Sequence, residues 1–250
     1  MRKKFKKFNT FVFPIFLTVF FLLFKSVTVS ASISIDLGTE SSLDPTLQIL
    51  FLTTLITLFP SILMMLTCFT RIIISMHFLR SALGTQQMPP NQILIGIALF
   101  LTIFLMGPTF TEINENAIKP LSSGEITQEE FLDEAMAPLR EFMFRQIDNE
   151  DLYLFAQYDN SDETYVSADD IPNRVVIPAF ILGELKKGFI IGFLIYIPFL
   201  VIDMVVASIL MAMGMMMLPP SLISLPFKIM FFVLSGGWNL VIESVIGSFR

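Results

Sequence analysis

One apolar stretch decides the fold, and its sequence is GFIIGFLIYIPFLVIDMVVASILMAMGMMML, residues 188–218. As a single helix its 31 residues would reach about 46 Å, whereas the hydrocarbon core of a bilayer is about 30 Å thick. The stretch therefore predicts a membrane-inserted helix that is partly covered by something other than lipid. Asp203 has no cation within one helical turn, so we expect its partner on another segment or another subunit.

The end of this stretch is rich in methionine. On a helix, Met204, Met211 and Met215 would fall within about 40° of one another. Met213, Met216 and Met217 would point in other directions. No single helical face explains the cluster, so ordinary core packing and a soft, deformable apolar loop both remain open. Gly188 and Gly192 match a small-xxx-small pattern that favours close helix packing. The six methionines are Met204, Met211, Met213, Met215, Met216 and Met217.

Shorter apolar segments lie on both sides of this stretch, at residues 47–68, 93–110 and 222–249. Two precede it, separated by a short connector whose charges, Arg71 and Arg80, are basic. One follows Pro219-Pro220, which fits the tip of a helical hairpin because proline ends a preceding helix. The sequence therefore predicts an all-α, membrane-associated fold of two long apolar helical hairpins. The first hairpin is predicted at residues 46–111 with its connector at 69–92, and the second at residues 175–250 with a Met-rich loop at 211–220.

A small acidic helical domain is predicted between the hairpins, at residues 112–174. It holds 16 acidic and four basic residues, and an apolar pattern at helical spacing follows the helix start Thr127-Gln128-Glu129-Glu130. From Asp148 to Ile171 the residues are typical of a loop. Since basic residues favour the cytoplasmic side, we predict the connector in the cytoplasm and the acidic domain in an extracytoplasmic position.

The N-terminus carries the pattern of a secretory signal peptide, residues 1–31. Five cations in residues 2–7 precede an apolar run, and Val29-Ser30-Ala31 offers the small residues of a cleavage site. We predict cleavage between Ala31 and Ser32, which leaves residues 32–45 as the mature N-terminal segment; an uncleaved membrane anchor is the alternative. Cleavage would remove six of the 16 cations and none of the 22 acidic residues. The resulting net charge of −12 disfavours nucleic acid as a partner.

The composition excludes most kinds of catalysis. Apolar residues make up 54% of the chain and charged residues 15%, against about 25% charged residues in a soluble domain. One cysteine and one histidine supply neither a metal site nor a catalytic pair, and no phosphate-binding or metalloprotease motif is present. We therefore expect no enzymatic activity, no cofactor and no metal.

Four charged residues stand in apolar surroundings. Glu184 and Lys187 are three residues apart and can pair on one helix face, whereas Asp203 and Lys228 are each isolated. A contact between Asp203 and Lys228 across the second hairpin is one interpretation. The other is that each group faces a watery lumen or interface without a partner. We predict that the four residues form an intramembrane polar network.

Seven short blocks carry a resemblance to a known family. They are Thr70-Arg71-Ile72-Ile73-Ile74, Leu83-Gly84-Thr85, Pro89-Pro90-Asn91-Gln92, Pro138-Leu139-Arg140-Glu141-Phe142-Met143, Ile197-Pro198-Phe199-Leu200, Gly214-Met215-Met216-Met217-Leu218-Pro219-Pro220 and Leu225-Pro226-Phe227-Lys228. Over residues 45–249 the chain closely resembles the FliP family of flagellar export-gate proteins and its injectisome relatives. The signal peptide favours the flagellar branch, because injectisome relatives usually lack a cleaved one.

The resemblance implies a core subunit of the flagellar type III protein export gate, in the bacterial inner membrane and the flagellar basal body. Several copies would wind into a helical, pore-bounding assembly with FliQ and FliR, with FlhB attached, and unfolded flagellar proteins would pass through its centre. The helices of the family pack in a conical complex held largely above the bilayer, so protein neighbours would cover the overlong stretch. By the match to the family's methionine loop, Met215, Met216 and Met217 would form a gasket that faces the lumen.

Three other functions remain compatible with the residues. The chain could be an injectisome export-gate homologue, an ion- or solute-channel subunit that uses Glu184 and Asp203 as binding groups, or an assembly scaffold without a pore role. Proton flux in substrate-free protein would favour the channel. Tolerance of changes in the methionine run, with the complex intact, would favour the scaffold.

Overall fold

The computed structural model of the protein describes residues 45–85, 87–159, 165, 167, 170–215 and 217–249, and the regular secondary structure of these residues is helical. The predicted signal peptide and its cleavage site at Ala31 and Ser32 lie outside the described residues. The chain divides into two compact units, residues 1–54 and residues 55–250. Residues 45–54, the described part of the first unit, are helical.

Two of the described helices are followed directly by a glycine. Gly84 and Gly124 each end a helix in the left-handed conformation, at φ of 74° and 76°, which glycine adopts without strain. The elements in chain order are α1 (Pro45–Leu66), α2 (Phe69–Leu83), α3 (Asn91–Leu105), α4 (Gly107–Ile113), the π-helical segment π1 (Asn114–Ile118), α5 (Lys119–Ser123), α6 (Gln128–Gln146), α7 (Asn149–Ala156), α8 (Asn173–Ala212), α9 (Pro220–Leu234) and α10 (Gly237–Gly247).

The first part of the predicted connector 69–92 forms the largely buried helix α2. Ile72, Met76 and Leu79 are 0–1% exposed, and their spacing of three and four residues places them on one face of the helix. This face packs extensively against α8. Helix α2 is therefore part of the core of the second unit, and it carries Arg71 into that core.

Pro108 interrupts the predicted apolar segment 93–110. Helix α3 ends at Leu105, and the helical path from Gly107 to Ser123 leaves it at an angle of 61°. Proline is tolerated in the first turn of α4, where its missing N–H would have no helical partner, but it cannot continue the hydrogen bonds of α3. The segment is consequently two helices that meet at a bend.

The predicted helix start at Thr127 is confirmed. Thr127 Oγ1 accepts a hydrogen bond from the Glu130 N–H at 3.3 Å, and Glu130 Oε2 accepts one from the Thr127 N–H at 2.8 Å. This reciprocal capping box provides acceptors for two backbone donors that the first turn of α6 would otherwise leave without partners. Helix α6 then continues through Pro138 to Gln146.

The expected loop from Asp148 to Ile171 is wrong in its first part, because Asn149–Ala156 forms helix α7. Leu152 and Phe155 pack against the hydrophobic core, and α7 lies against α8. Tertiary packing of an apolar face therefore stabilises a helix of only eight residues, which the polar composition of the segment conceals.

Helix α8 is continuous over 40 residues and is therefore about 60 Å long. It begins at Asn173, before the apolar stretch, contains Pro178 and Pro198, and ends at Ala212. Gly214 turns the chain out of the helix at φ 73°, so the helix does not reach Leu218. The whole helix is longer than a bilayer core is thick, but its apolar part, residues 188–212, is about 37 Å long rather than the predicted 46 Å.

Among the described helices, α8 alone is long and apolar enough to cross a membrane by length and composition. Two bent combinations pass the same test only if each is counted as one span. They are α3 with the Gly107–Ser123 path, bent by 61°, and α9 with α10, bent by 68°. The second bend lies at Gly236, whose φ is 64°. The pairing of these helices into two membrane hairpins with an inserted domain remains a prediction.

Candidate functional site

A first polar cluster joins α2, α8 and α9. Lys228 of α9 is 3% exposed, and its Nζ lies 2.5 Å from Asp203 Oδ2 of α8. The same ammonium group donates to the Ala82 carbonyl at 3.0 Å, near the end of α2, where helix carbonyls lack partners and attract a cation. Ser224 Oγ donates to Asp203 Oδ1 at 2.5 Å. The structure thus brings Asp203 and Lys228 together within one hydrogen-bonded cluster.

A second polar cluster forms around Glu184, whose partner is Arg71 of α2 rather than Lys187. The Arg71 and Glu184 side chains are 0% and 1% exposed. Arg71 Nε donates to Glu184 Oε2 at 3.1 Å, and Arg71 Nη2 donates to Glu184 Oε1. Such a bidentate pair fixes the geometry of both side chains. Because an unpaired buried charge is strongly destabilising, each residue depends on the other.

Lys187 contacts the acidic region instead of Glu184. Its Nζ donates to the Gln146 carbonyl at 2.5 Å and lies 3.5 Å from Asp148 Oδ1. The neighbouring Lys186 Nζ donates to Asp151 Oδ1 at 2.8 Å. These two lysines attach the end of α6 and the beginning of α7 to α8. The four residues predicted as one network thus lie in two clusters: Asp203 with Lys228, and Glu184 with Lys187, which are linked through Arg71 and Gln146.

Arg71 is the site residue that sequence reasoning missed. The sequence indicates a basic residue that sets membrane topology, whereas the structure buries it completely. Its partner Glu184 is 113 residues away along the chain. The available signal was chemical: one arginine and one glutamate each stood in apolar sequence, where a charge needs a partner.

Gly188 and Gly192 face α2 at close range. A Cβ at Gly188 would lie 3.2 Å from Ile74 Cβ and 3.3 Å from Arg71 Cα. A Cβ at Gly192 would lie 2.5 Å from the Phe78 ring. The close approach of α2 and α8 therefore requires positions without a side chain. Both glycines predicted for helix packing lie at this contact.

The loop between α8 and α9 presents methionine to the surroundings. Met215 is 42% exposed and Met217 is 99% exposed, whereas Met216 lies outside the described residues. Gly214 turns the chain out of α8, and Pro219-Pro220 begins α9. The loop is thus held between two helices that the Asp203–Lys228 pair connects.

His77 and Arg80 lie next to each other on α2. Burial, and then the positive charge of Arg80, lower the pKa of His77 from its ordinary value of 6.5. Arg80 Nη2 lies 3.0 Å from His77 Nδ1, an arrangement that requires the neutral imidazole. In the part of the chain that the structure describes, no three His, Cys, Asp or Glu side chains are grouped to hold a metal ion.

These features define a class of protein: a helical, membrane-associated chain with one long apolar helix, ion pairs buried between helices and an exposed methionine loop. A model of the FliP family matches residues 52–245. The chain belongs to the FliP family.

Several curated proteins are similar to this chain over most of its length, and each is named flagellar biosynthetic protein FliP. The Bacillus subtilis protein is 52% identical over 84% of this chain and 96% of its own length. The Caulobacter vibrioides protein is 48% identical over 88% of this chain and 83% of its own length. The Borreliella burgdorferi protein is 50% identical over 81% of each chain.

Proposed function

We propose that this chain is a pore-forming subunit of the flagellar type III protein export gate, which passes unfolded flagellar proteins across the bacterial inner membrane. The observation that carries the proposal is the exposed methionine loop at the end of α8, where Met217 is 99% exposed although it is apolar. A patch of exposed apolar side chains of this kind is typical of a surface that binds another molecule. Membership of the FliP family supports the flagellar setting.

The loop has the chemistry that a gate for unfolded chains needs. Such a gate must exclude ions at rest and still admit side chains of every shape. Methionine is unbranched and flexible, so several loops can fill a narrow opening and rearrange around a passing chain. An apolar constriction also closes to ions by losing its water. Met215, Met216 and Met217 are therefore proposed as the gasket.

The proposed assembly contains several copies of this chain with FliQ and FliR, and with FlhB attached, in the flagellar basal body. Exposed apolar side chains along α8 and α9 support an assembly, because a soluble monomer seldom exposes such a surface. The acidic segment 112–174 is proposed to lie outside the cytoplasm. Its many exposed charges fit water better than lipid.

The experiment that tests the proposal replaces Met215, Met216 and Met217 together by alanine. The complex should assemble in normal amount, and the membrane should leak small ions, because alanine is too short to fill the opening. Ion conductance in proteoliposomes or patched membranes is the measurement.

Two control variants separate the gasket from packing. Met204→Ala removes another exposed methionine, 61% exposed on α8, and should leave conductance low. Leu210→Ala removes a side chain that is 6% exposed and should reduce the amount of complex instead. Normal assembly of the triple variant with closed-level conductance would contradict the gasket.

A further inference from the structure

Arg71 uses all five of its N–H donors inside the protein. Nε and one donor of Nη2 bind Glu184, and the other donor of Nη2 binds Gln146 Oε1 at 3.0 Å. Nη1 donates to the Ser248 carbonyl at 2.8 Å and to Ser248 Oγ at 3.1 Å. The guanidinium carbon also lies 3.8 Å from the centre of the Phe249 ring. One buried side chain thus contacts three other parts of the chain.

These three parts belong to different regions of the fold. Gln146 is the last residue of α6 in the acidic region, Glu184 lies on α8, and Ser248 follows α10. We propose that Arg71 is a positioning residue that couples the acidic region to the α9–α10 arm, residues 220–249. A displacement of α6 would therefore change the position of α10. The effect would pass through Arg71, because Gln146 contacts Arg71 and not the arm.

The coupling follows from the geometry of the guanidinium group. It is planar and its donors are fixed relative to one another, so it cannot turn toward one acceptor without turning away from another. Because Arg71 is 0% exposed, water cannot replace an acceptor that moves, and a buried donor left without a partner is destabilising. Loss of the Gln146 contact therefore favours reorientation of Arg71, which weakens its contacts with Ser248 and Phe249.

The arm contains a bend at which such a change can be absorbed. Helices α9 and α10 differ in direction by 68°, and Gly236 at the bend has φ of 64°. Trp238 lies directly after the bend and packs edge to face on Phe232, with ring centres 5.5 Å apart. Ser248 lies ten residues further on, or about 15 Å along the helix. Trp238 therefore reports the bend without touching the Arg71 cluster.

The test uses the fluorescence of Trp238, the one tryptophan of the chain, in the full chain purified in detergent. Gln146→Leu removes the Gln146 acceptor while nearly preserving side-chain volume. Arg71→Lys keeps the charge but not the planar set of donors. Both variants should raise the acrylamide quenching constant of Trp238 by about twofold, with the helix content by circular dichroism unchanged.

The matched control is Gln157→Leu, the same change at an exposed position at the end of α7, which should leave quenching at the wild-type value. The double variant Arg71→Lys with Gln146→Leu should give no more than the larger single effect, because both changes act through one side chain. If Arg71→Lys does not fold, Gln146→Leu still decides the outcome. Equal quenching in Gln146→Leu and Gln157→Leu would overturn the proposal and leave Arg71 as a purely local stabilising residue.

Discussion

At the level of single residues, the contact between α2 and α8 depends on glycine at position 192, because glycine has no side chain. A Cβ there would lie 2.5 Å from the Phe78 ring, so Gly192→Ala should lower the free energy of unfolding by about 1 to 3 kcal/mol. Gly96→Ala on α3 is the control, because its Cβ position is open and no atom of another helix lies within 4 Å of it. It should be neutral or stabilising, since alanine favours a helix. Denaturant titration in detergent measures both variants; equal effects would contradict the packing role.

The pair Asp203–Lys228 gives a second prediction at this scale. Asp203→Ala should destabilise the fold by about 3 kcal/mol, because the buried Lys228 ammonium would lose its charged partner. The exchange Asp203→Lys with Lys228→Asp should recover part of this loss. The measurement is the unfolding of Asp203→Lys, of Lys228→Asp and of the double variant. Strictly additive losses would show that the two charges act independently.

Single residues also show what sequence reasoning can and cannot find. The isolation of Asp203 and Lys228 in apolar sequence makes their contact a natural interpretation, because each needs a partner within a short hairpin. Arg71 needs a partner equally, yet Glu184 and Ser248 come from distant parts of the chain. Composition indicates that a charge requires a partner, whereas only the packing of α2 on α8 determines which partner it has.

At the level of elements, the capping box of α6 predicts a pH-dependent contribution to stability. Hydrogen bonds from Thr127, first from its backbone N–H and then from its hydroxyl, lower the pKa of Glu130 below its ordinary value of 4.5. The stabilisation by Glu130 is therefore present above pH 4.5 and is lost as the pH falls through the lower folded-state pKa. Glu130→Ala should reduce the melting temperature at neutral pH and approach the wild type in acid.

The controls for this prediction lie in the same turn. Glu129→Ala removes an acidic residue of the first turn that is not part of the capping box, so its effect should be smaller. Thr127→Ala should cost about 1 kcal/mol at neutral pH. A Glu130→Ala variant whose melting temperature differs from that of the wild type equally at neutral and acidic pH would argue against the ionised carboxylate as the capping group.

The elements differ in how far the sequence determines them. The start of α6 is predictable because a capping box is a local pattern of four residues. Helix α7 is not, because its stability comes from contacts with α8 that the loop-like composition does not indicate. The bend at Pro108 lies between these cases: the proline is visible, but its effect depends on whether neighbouring helices favour a straight or a bent path.

At the level of the whole molecule, the apolar surface of α8 exceeds what the chain itself covers. The helix is 40 residues long, about twice the length that a bilayer core requires, and it is exposed along much of the part that follows Gly188. The part that follows Gly188 is 24 residues long, or about 36 Å, and lipid can cover about 30 Å of it. Protein neighbours are therefore the expected cover for the rest, which agrees with a multi-subunit assembly.

This expectation can be measured by cysteine labelling, since the native Cys68 is buried and gives no background. Val205 on α8 is 53% exposed. Val205→Cys should react readily with a small, membrane-permeable maleimide in the isolated chain and at least about tenfold more slowly in the assembled complex, because an interface excludes solvent and reagent. Glu129→Cys, at an exposed position on α6, should react alike in both states. Unchanged reactivity of Val205→Cys on assembly would mean that lipid or water, and not a protein neighbour, covers this face of α8.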